Sequence, residues 1–252
     1  MLEEKKSTGQ SFTFKHFRVD QDQCTMKVGT DGVLLGAWAD VSKTKLLLDI
    51  GTGTGVIAIM LAQRTMNTEG VKVHAVEIDP FASFQAKENM ENSPFADRLG
   101  GVNDSIQSFA KSVSLQYDLI VSNPPFFTGG TFSSNQDKTN VRHTVKLPHG
   151  DLLQATRTLL AKDGKFCVIL PLIEGLRFVD IAHTYGFYCT KKTEVFTLAD
   201  KAIERLLLQF ESTNKEMITD TLIMLNSQKR NDYTEAYKEL TKDFYTDRKS
   251  VV

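Results

Sequence analysis

Residues Leu46 to Ala62 read Leu-Leu-Leu-Asp-Ile-Gly-Thr-Gly-Thr-Gly-Val-Ile-Ala-Ile-Met-Leu-Ala: a short apolar run, glycines at alternate positions, then a second apolar run. No other stretch constrains the fold as tightly. The first run has the length of a strand buried on both faces and the second suits a helix. The glycines between them permit positive φ and let backbone N–H groups approach a ligand at the helix start. A second apolar run, Val71 to Val76, ends in Glu77, whose carboxylate suits the paired hydroxyls of a ribose. Strand, glycine turn, helix and strand in this order predict an α/β fold with a nucleotide-like ligand at the strands' carboxyl ends.

The 252-residue chain is 41% hydrophobic and 24% charged, enough for one large α/β domain with an extension. With 30 basic and 31 acidic residues its net charge is −1, so a nucleic-acid partner has to be held by a local basic patch. Cys24, Cys167 and Cys189 are scattered and read as reduced, mostly buried thiols. His16, His74, His149 and His183 lack partners at metal-ligand spacing, so no metal is expected. There is neither a basic-then-apolar leader nor a membrane-length apolar run, and the cytoplasm is the expected setting.

Along the chain, residues 1 to about 10 are polar and expected to be loose. Phe12 to Val19 alternates apolar and polar residues, as one half-exposed strand does, with Lys15 and Arg18 on its polar face. Met26 to Gly32 reads as a loop capped by Thr30 or Asp31, leading into an apolar helix, Val33 to Ala39, that serves as a lid or packs in the core around Trp38. Further strands are expected at Leu99–Val102, Tyr117–Val121, Phe166–Leu170, near Glu194–Phe196 and at Leu206–Phe210. Helices are expected over Phe84–Asn92, Asp151–Leu160, Glu174–Tyr185 and Tyr233–Tyr245. The pattern is a Rossmann-like, seven-stranded, mostly parallel sheet whose last strand is antiparallel, with helices on both faces. Residues 1–40 form a small extension over the ligand site, and residues 41–252 form the main domain.

Asn123-Pro124-Pro125-Phe126 follows the strand Tyr117–Val121 and so stands at the sheet's ligand-binding edge. The prolines fix φ and remove two N–H donors, which leaves an acceptor-rich rim. The Asn123 side-chain oxygen and the Pro124 carbonyl can accept both hydrogens of an exocyclic amine, while Phe126 offers a face for an aromatic ring. A turn is the bland alternative for Asn-Pro-Pro. The polar loop from Phe127 to Lys146 directly after this tetrapeptide is long enough to be functional, and it is expected to grip substrate.

Asp49 distinguishes between cofactor classes. A carboxylate beside the glycine turn repels a pyrophosphate but attracts an ammonium or sulfonium group, and the glycine spacing departs from the dinucleotide fingerprint. Asp49-Ile50-Gly51-Thr52-Gly53-Thr54-Gly55, Glu77 and Asn123-Pro124-Pro125-Phe126 together resemble the class I S-adenosylmethionine-dependent methyltransferases of the amino-methylating group. The resemblance implies that Asp49, Gly51 and Gly53 flank the methionine part of the cofactor, Glu77 holds its ribose and Asp104 contacts its adenine. Lys27, Thr30, Gly55, Asp79 and Asn123 complete the implied cofactor set. Asn123, Pro124, Pro125 and Phe126 are the implied catalytic residues.

Phe14-Lys15 with Phe17, the block Met26 to Trp38, the glycine loop, Asn-Pro-Pro-Phe and Arg142-His143 extend the likeness along nearly the whole chain to the tRNA-valine adenine-N6 methyltransferases. That family modifies the adenine just 3′ of the anticodon, which makes tRNA the implied partner. Lys15, Arg18, Lys138, Arg142, His143 and Lys146 are then the expected RNA contacts. Ribosomal-RNA guanine-N2 methyltransferases and protein glutamine methyltransferases carry a similar tetrapeptide, and a non-catalytic, cofactor-binding RNA-docking module is a further alternative. Nothing in the sequence fixes an oligomeric state, and a monomer is the working expectation.

Overall fold

The computed structural model describes residues 10–24, 26–125 and 147–245. The polar stretch 1–9, Phe126 and the loop 127–146 lie outside the described residues, as do residues 246–252.

A central sheet is built from β3 (Leu46–Ile50), β4 (Lys72–Glu77), β5 (Leu99–Asn103), β6 (Tyr117–Ser122), β7 (Leu160–Pro171), β8 (Tyr188–Phe196), β9 (Arg205–Glu211) and β10 (Ile218–Ile223). Its order is β10-β8-β9-β7-β6-β3-β4-β5, with β9 antiparallel to both neighbours and every other pairing parallel. The seven expected strands are present, and β9, the last of them, is the antiparallel one. The eighth, β10, corrects the expected count. Its first four residues are exposed, so it lacks the apolar run that marks a buried strand, and it forms by pairing with the free edge of β8.

Strand residues alternate between two cores. Leu47, Leu119, Val121, Cys167, Ile169 and Leu207 face one side, while Leu48, Ile50, Ile120, Phe166, Val168 and Leu208 face the other. The first core is covered by α1 (Thr30–Trp38), α2 (Val56–Arg64), α3 (Pro80–Glu91) and α7 (Glu235–Thr241). The second is covered by α4 (Ile106–Ser112), α5 (His149–Leu159) and α6 (Leu172–Thr184). At the amino-terminal edge, Asp118 Oδ2 accepts from the Lys45 and Leu46 amides at 2.7 and 3.0 Å, fixing β3 against β6.

Two expectations at the N-terminus are corrected, and the choice between two readings of α1 is decided. Residues 12–19 form two short antiparallel strands, β1 (Ser11–Thr13) and β2 (Arg18–Asp20), joined by a turn whose Phe14 and Phe17 rings stack in the core at 4.5 Å. The alternation broke because both aromatics turn inward. Helix α1 is capped by Gly29 with no side-chain bond from Thr30 or Asp31, since Asp31 points to Arg205 at 2.8 Å. Of the two readings of α1, core packing holds over a lid: Gly32 to Ala37 are buried, Arg64 Nη1 donates to the Gly36 and Ala39 carbonyls, and the Trp38 indole N–H donates to Thr193 Oγ1 at 2.9 Å.

The other helices shift at their ends. Helix α3 starts at Pro80, four residues before the expected Phe84, because Asp79 Oδ1 accepts from the Phe81 and Ala82 amides as its N-cap and proline suits the first position.

Candidate active site

Ile50 of β3 pairs with Ser122 of β6, and the Ser122 hydroxyl donates to the Ile50 carbonyl at 2.9 Å. Gly51 and Asn123 therefore leave adjacent strand ends. The crossovers turn to opposite sides here, β4 and β5 beyond β3 and β7 beyond β6, so this is the switch point of the sheet where ligands bind.

The glycine loop folds onto β4. The Gly51 and Thr52 amides both donate to the Val76 carbonyl, at 2.8 and 3.2 Å, and the Gly55 amide donates to Thr52 O at 2.9 Å. Gly51 and Gly53 have φ of 70° and 56°, and a Cβ at either would meet nothing within 4 Å, so their backbone faces open space. Gly55, with φ of 83°, is the N-cap of α2 and presses on Ala86 of α3. The loop is thus open on the ligand side and closed on the helix side.

Glu77 reaches back under this loop. Its Oε2 accepts from the Gly53 amide and its Oε1 from the Asp79 amide, each at 3.0 Å, which leaves further lone pairs for hydroxyl donors. Asp104 follows β5; its amide donates to the Glu77 carbonyl at 3.1 Å, and its Oδ1 accepts from Ser105 N at 2.7 Å. Asp79 is occupied as the cap of α3 and fixes Glu77 through its amide.

Asp49 is fully buried beneath the loop, and its Oδ2 accepts from the Thr52 hydroxyl at 2.6 Å. Burial pushes its carboxyl up from 3.8 to about 7, against the pull of the Thr52 hydroxyl and the Ala58 amide, with nearby Glu77 adding to the rise. Its Oδ1 is buried with no hydrogen-bond partner among the described residues, and so is Asn123 Oδ1. An orphaned buried acceptor costs about 1–3 kcal/mol. Two of them at one strand junction mark where a cation and a donor belong. A cationic sulfonium with an adenosine fits this set: a buried carboxylate below, open glycine backbone above, and the Glu77 carboxylate at the end of the neighbouring strand.

The expected residues therefore divide. Asp49, Gly51, Gly53, Gly55, Glu77, Asp79, Asp104, Asn123 and Pro124 meet along one edge; Pro125 is the last described residue before position 147. Lys27 and Thr30 are exposed on the segment entering α1, close behind Cys24, whose thiol is pushed up to about 12 by burial and by Glu77, Asp79 and Asp22. Lys15 is not brought to this edge. Its amide donates to Phe244 O, and the neighbouring Asp243 O accepts from Gln63 in the last turn of α2, which places it toward the opposite edge. Arg18 pairs with Asp20 at 2.9 Å beside Asn89 of α3. Phe126, Lys138, Arg142, His143 and Lys146 lie outside the described residues. The sequence reading missed Ser122 and Thr52. A threonine three residues after Asp49 is the local signal for the second, since hydroxyls commonly bond within a turn.

Among the described residues no group of three or more His, Cys, Asp or Glu could hold a metal ion, and no helix is long and apolar enough to cross a membrane.

Residues 27–171 match the methyltransferase small domain family. The chain is 43% identical over 234 residues to the tRNA1(Val) (adenine(37)-N6)-methyltransferase of Pectobacterium carotovorum subsp. carotovorum, covering 93% of each chain. It is 44% identical to the protein of the same name from Trichodesmium erythraeum, covering 94% of this chain and 98% of that one. Among solved structures, a predicted O-methyltransferase from Agrobacterium tumefaciens superposes with a TM-score of 0.66 at 14% identity, over 85% of this chain and 96% of that one; it shares the fold.

Proposed function

The chain belongs to the tRNA1(Val) (adenine(37)-N6)-methyltransferase family, and from that membership we infer that it transfers a methyl group from S-adenosylmethionine to the exocyclic N6 of an adenine in a valine tRNA. The finer reading puts that adenine in the anticodon loop, where a single-stranded base leaves its stack at low cost. The observation that carries the site assignment is the pair of buried acceptors without a partner among the described residues, Asp49 Oδ1 and Asn123 Oδ1, at the junction of β3 and β6.

S-adenosylmethionine supplies an electrophilic methyl group on a sulfonium centre. In this reading Asp49 balances the positive charge from below, Gly51 and Gly53 let the methionine part lie against the backbone, Glu77 accepts from the ribose hydroxyls and Asp104 meets the adenine. Lys27 and Thr30 belong to the N-terminal extension, residues 1–40, whose approach to α1 borders the cofactor. Asn123 Oδ1 and the Pro124 carbonyl accept the two N–H bonds of the target amine. That arrangement turns the nitrogen lone pair, otherwise delocalised into the ring, toward the methyl. Pro124 and Pro125 hold the carbonyls rigid, and Phe126 stacks on the base.

None of these groups is a strong base. They act by position, and by accepting hydrogen bonds that strengthen as positive charge grows on the nitrogen. One chain carries every group named, so we take the monomer as the active unit.

The test is mass mapping of methylated nucleosides in RNA from cells with and without the gene, paired with transfer of labelled methyl by purified protein. Loss of N6-methyladenosine from one valine tRNA is expected. Loss of an N2-methylguanosine from ribosomal RNA, with tRNA unchanged, would overturn the assignment.

A further inference from the structure

The cations of this chain are unevenly employed. Along the β8–β9 hairpin they are engaged internally: Lys192 with Glu194 at 2.8 Å, Arg205 with Asp31 at 2.8 Å, and Lys191 with Asp220 at 4.0 Å and over the Trp38 ring at 5.0 Å. Near the C-terminus, Lys215, Lys238 and Lys242 each pair with a glutamate. Lys201, after β8, and Lys229 and Arg230, after β10, are exposed and form no ion pair among the described residues.

Topology gathers these three on the edge that carries Asn123. Strand β7 is parallel to β6, β8 is parallel to β7 through the antiparallel β9 between them, and β10 is parallel to β8. The segments after β8 and β10 thus leave the sheet at its catalytic edge. Leu198, Ala199 and Asp200 of the first line one cleft with Asn226, Ser227 and Gln228 of the second.

The second loop is fastened by its own side chains. Asp232 Oδ2 accepts from the Ser227 hydroxyl at 2.6 Å and its Oδ1 from the Asn226 amide at 3.1 Å, while the Asn226 backbone N–H donates to the Asp232 carbonyl at 2.8 Å. Asn231 turns the chain with a left-handed φ of 62°. The tip Gln228-Lys229-Arg230 is therefore held in place before any partner arrives; both Asp232 carboxylate oxygens accept from the loop's own donors and attract Lys229 only from beyond ion-pair distance.

We propose that these two loops grip the sugar–phosphate backbone of the tRNA that flanks the target adenine, with Lys201, Lys229 and Arg230 as its phosphate contacts. The proposal rests on the methyltransferase reading and adds a surface to it. Four strand spacings of about 4.8 Å separate β10 from β6, so the grip lies about 19 Å from Asn123. A base flipped at one end of this edge leaves its strand running toward the other. The chain's net charge of −1 gives no global attraction for phosphate, so local groups of cations along this edge have to supply it. Asp200 stands in the cleft wall and repels phosphate, which places the grip on the rim.

The experiment compares the wild type with Lys229→Glu/Arg230→Glu and the milder Lys229→Gln/Arg230→Gln in the full-length protein, using a valine tRNA transcript. Charge reversal is expected to flatten the plot of log affinity against log salt by about 1.5–2, near one counterion per contact. KM for tRNA should rise about tenfold or more, with kcat and S-adenosylmethionine affinity kept. Asp200→Asn should tighten tRNA binding, and a trinucleotide with the target adenosine at its centre, too short to reach from Asn123 to the grip, should be methylated equally by all variants. A wild-type slope and KM in the charge-reversed protein would overturn the proposal. Failure of the wild type to methylate any tRNA would instead sink the activity on which it rests.

Discussion

Asp49→Asn is expected to stabilise the cofactor-free protein at pH 8 while weakening its hold on S-adenosylmethionine. The Asp49 carboxyl rises from 3.8 to about 7 because it is buried, so between these values the native state holds a proton that the unfolded chain has lost. For a raised acid the stability contribution is fully present below about pH 4 and is lost as pH climbs to about 7. About three units of difference correspond to about 4 kcal/mol of penalty at pH 8, an upper value for a group that can relax. Asparagine carries no such penalty and still accepts from Thr52. Denaturant midpoints of the two proteins should therefore diverge from pH 4 to pH 8, with the variant the more stable.

The cofactor reverses the preference. A sulfonium beside the carboxyl favours its ionised form, so wild-type affinity should rise about tenfold from pH 6 to pH 8, with nearly one proton released per binding event at pH 6. The variant should bind weakly at both. Calorimetry in two buffers of different ionisation enthalpy reads affinity and proton release together. Wild-type affinity that does not change with pH, with no proton released, would refute the placement of this carboxylate against the positive charge.

Asn123→Ala should leave S-adenosylmethionine affinity nearly intact and remove most turnover, because in the proposed complex its side-chain oxygen accepts only from the target amine; equal losses in both would make it a structural turn residue. Glu77→Ala should weaken cofactor binding by about 1–3 kcal/mol as the ribose loses a charged acceptor, and an unchanged calorimetric Kd would contradict that role. Gly55→Ala places a side chain at a φ of 83° with its Cβ 3.3 Å from the Ala86 carbonyl. A cost of about 1–3 kcal/mol, read as a fall of about 2–12 °C in a thermal melt, is expected, and an unchanged melt would mean that α2 shifts freely.

Local chemistry was legible from the chain. A buried strand, a glycine turn, a helix, an acid closing the next strand and an Asn-Pro-Pro rim are each written in contiguous residues, because backbone sterics and strand burial act over a few positions. That was enough to place Asp49, Glu77 and Asn123 at one edge. It was not enough for β10, whose exposed residues carry no apolar signature and which exists through its pairing with β8. The alternation at 12–19 failed for a related reason: Phe14 and Phe17 both turn into a core that α7 and the C-terminal aromatics complete from the far end of the chain. The shifted protonation of Asp49 is likewise tertiary, for the same carboxylate in an exposed turn would titrate normally, and its burial comes from the strands and helix assembled around it. The Asp31–Arg205 pair spans 174 positions, and the parallel pairing of β8 and β10 brings the segment of Lys201 to the same sheet edge as that of Lys229 and Arg230. Sequence fixes what each segment prefers over a few residues; which charges end up paired, buried or free is decided by contacts between segments distant along the chain, and only the folded sheet makes those contacts.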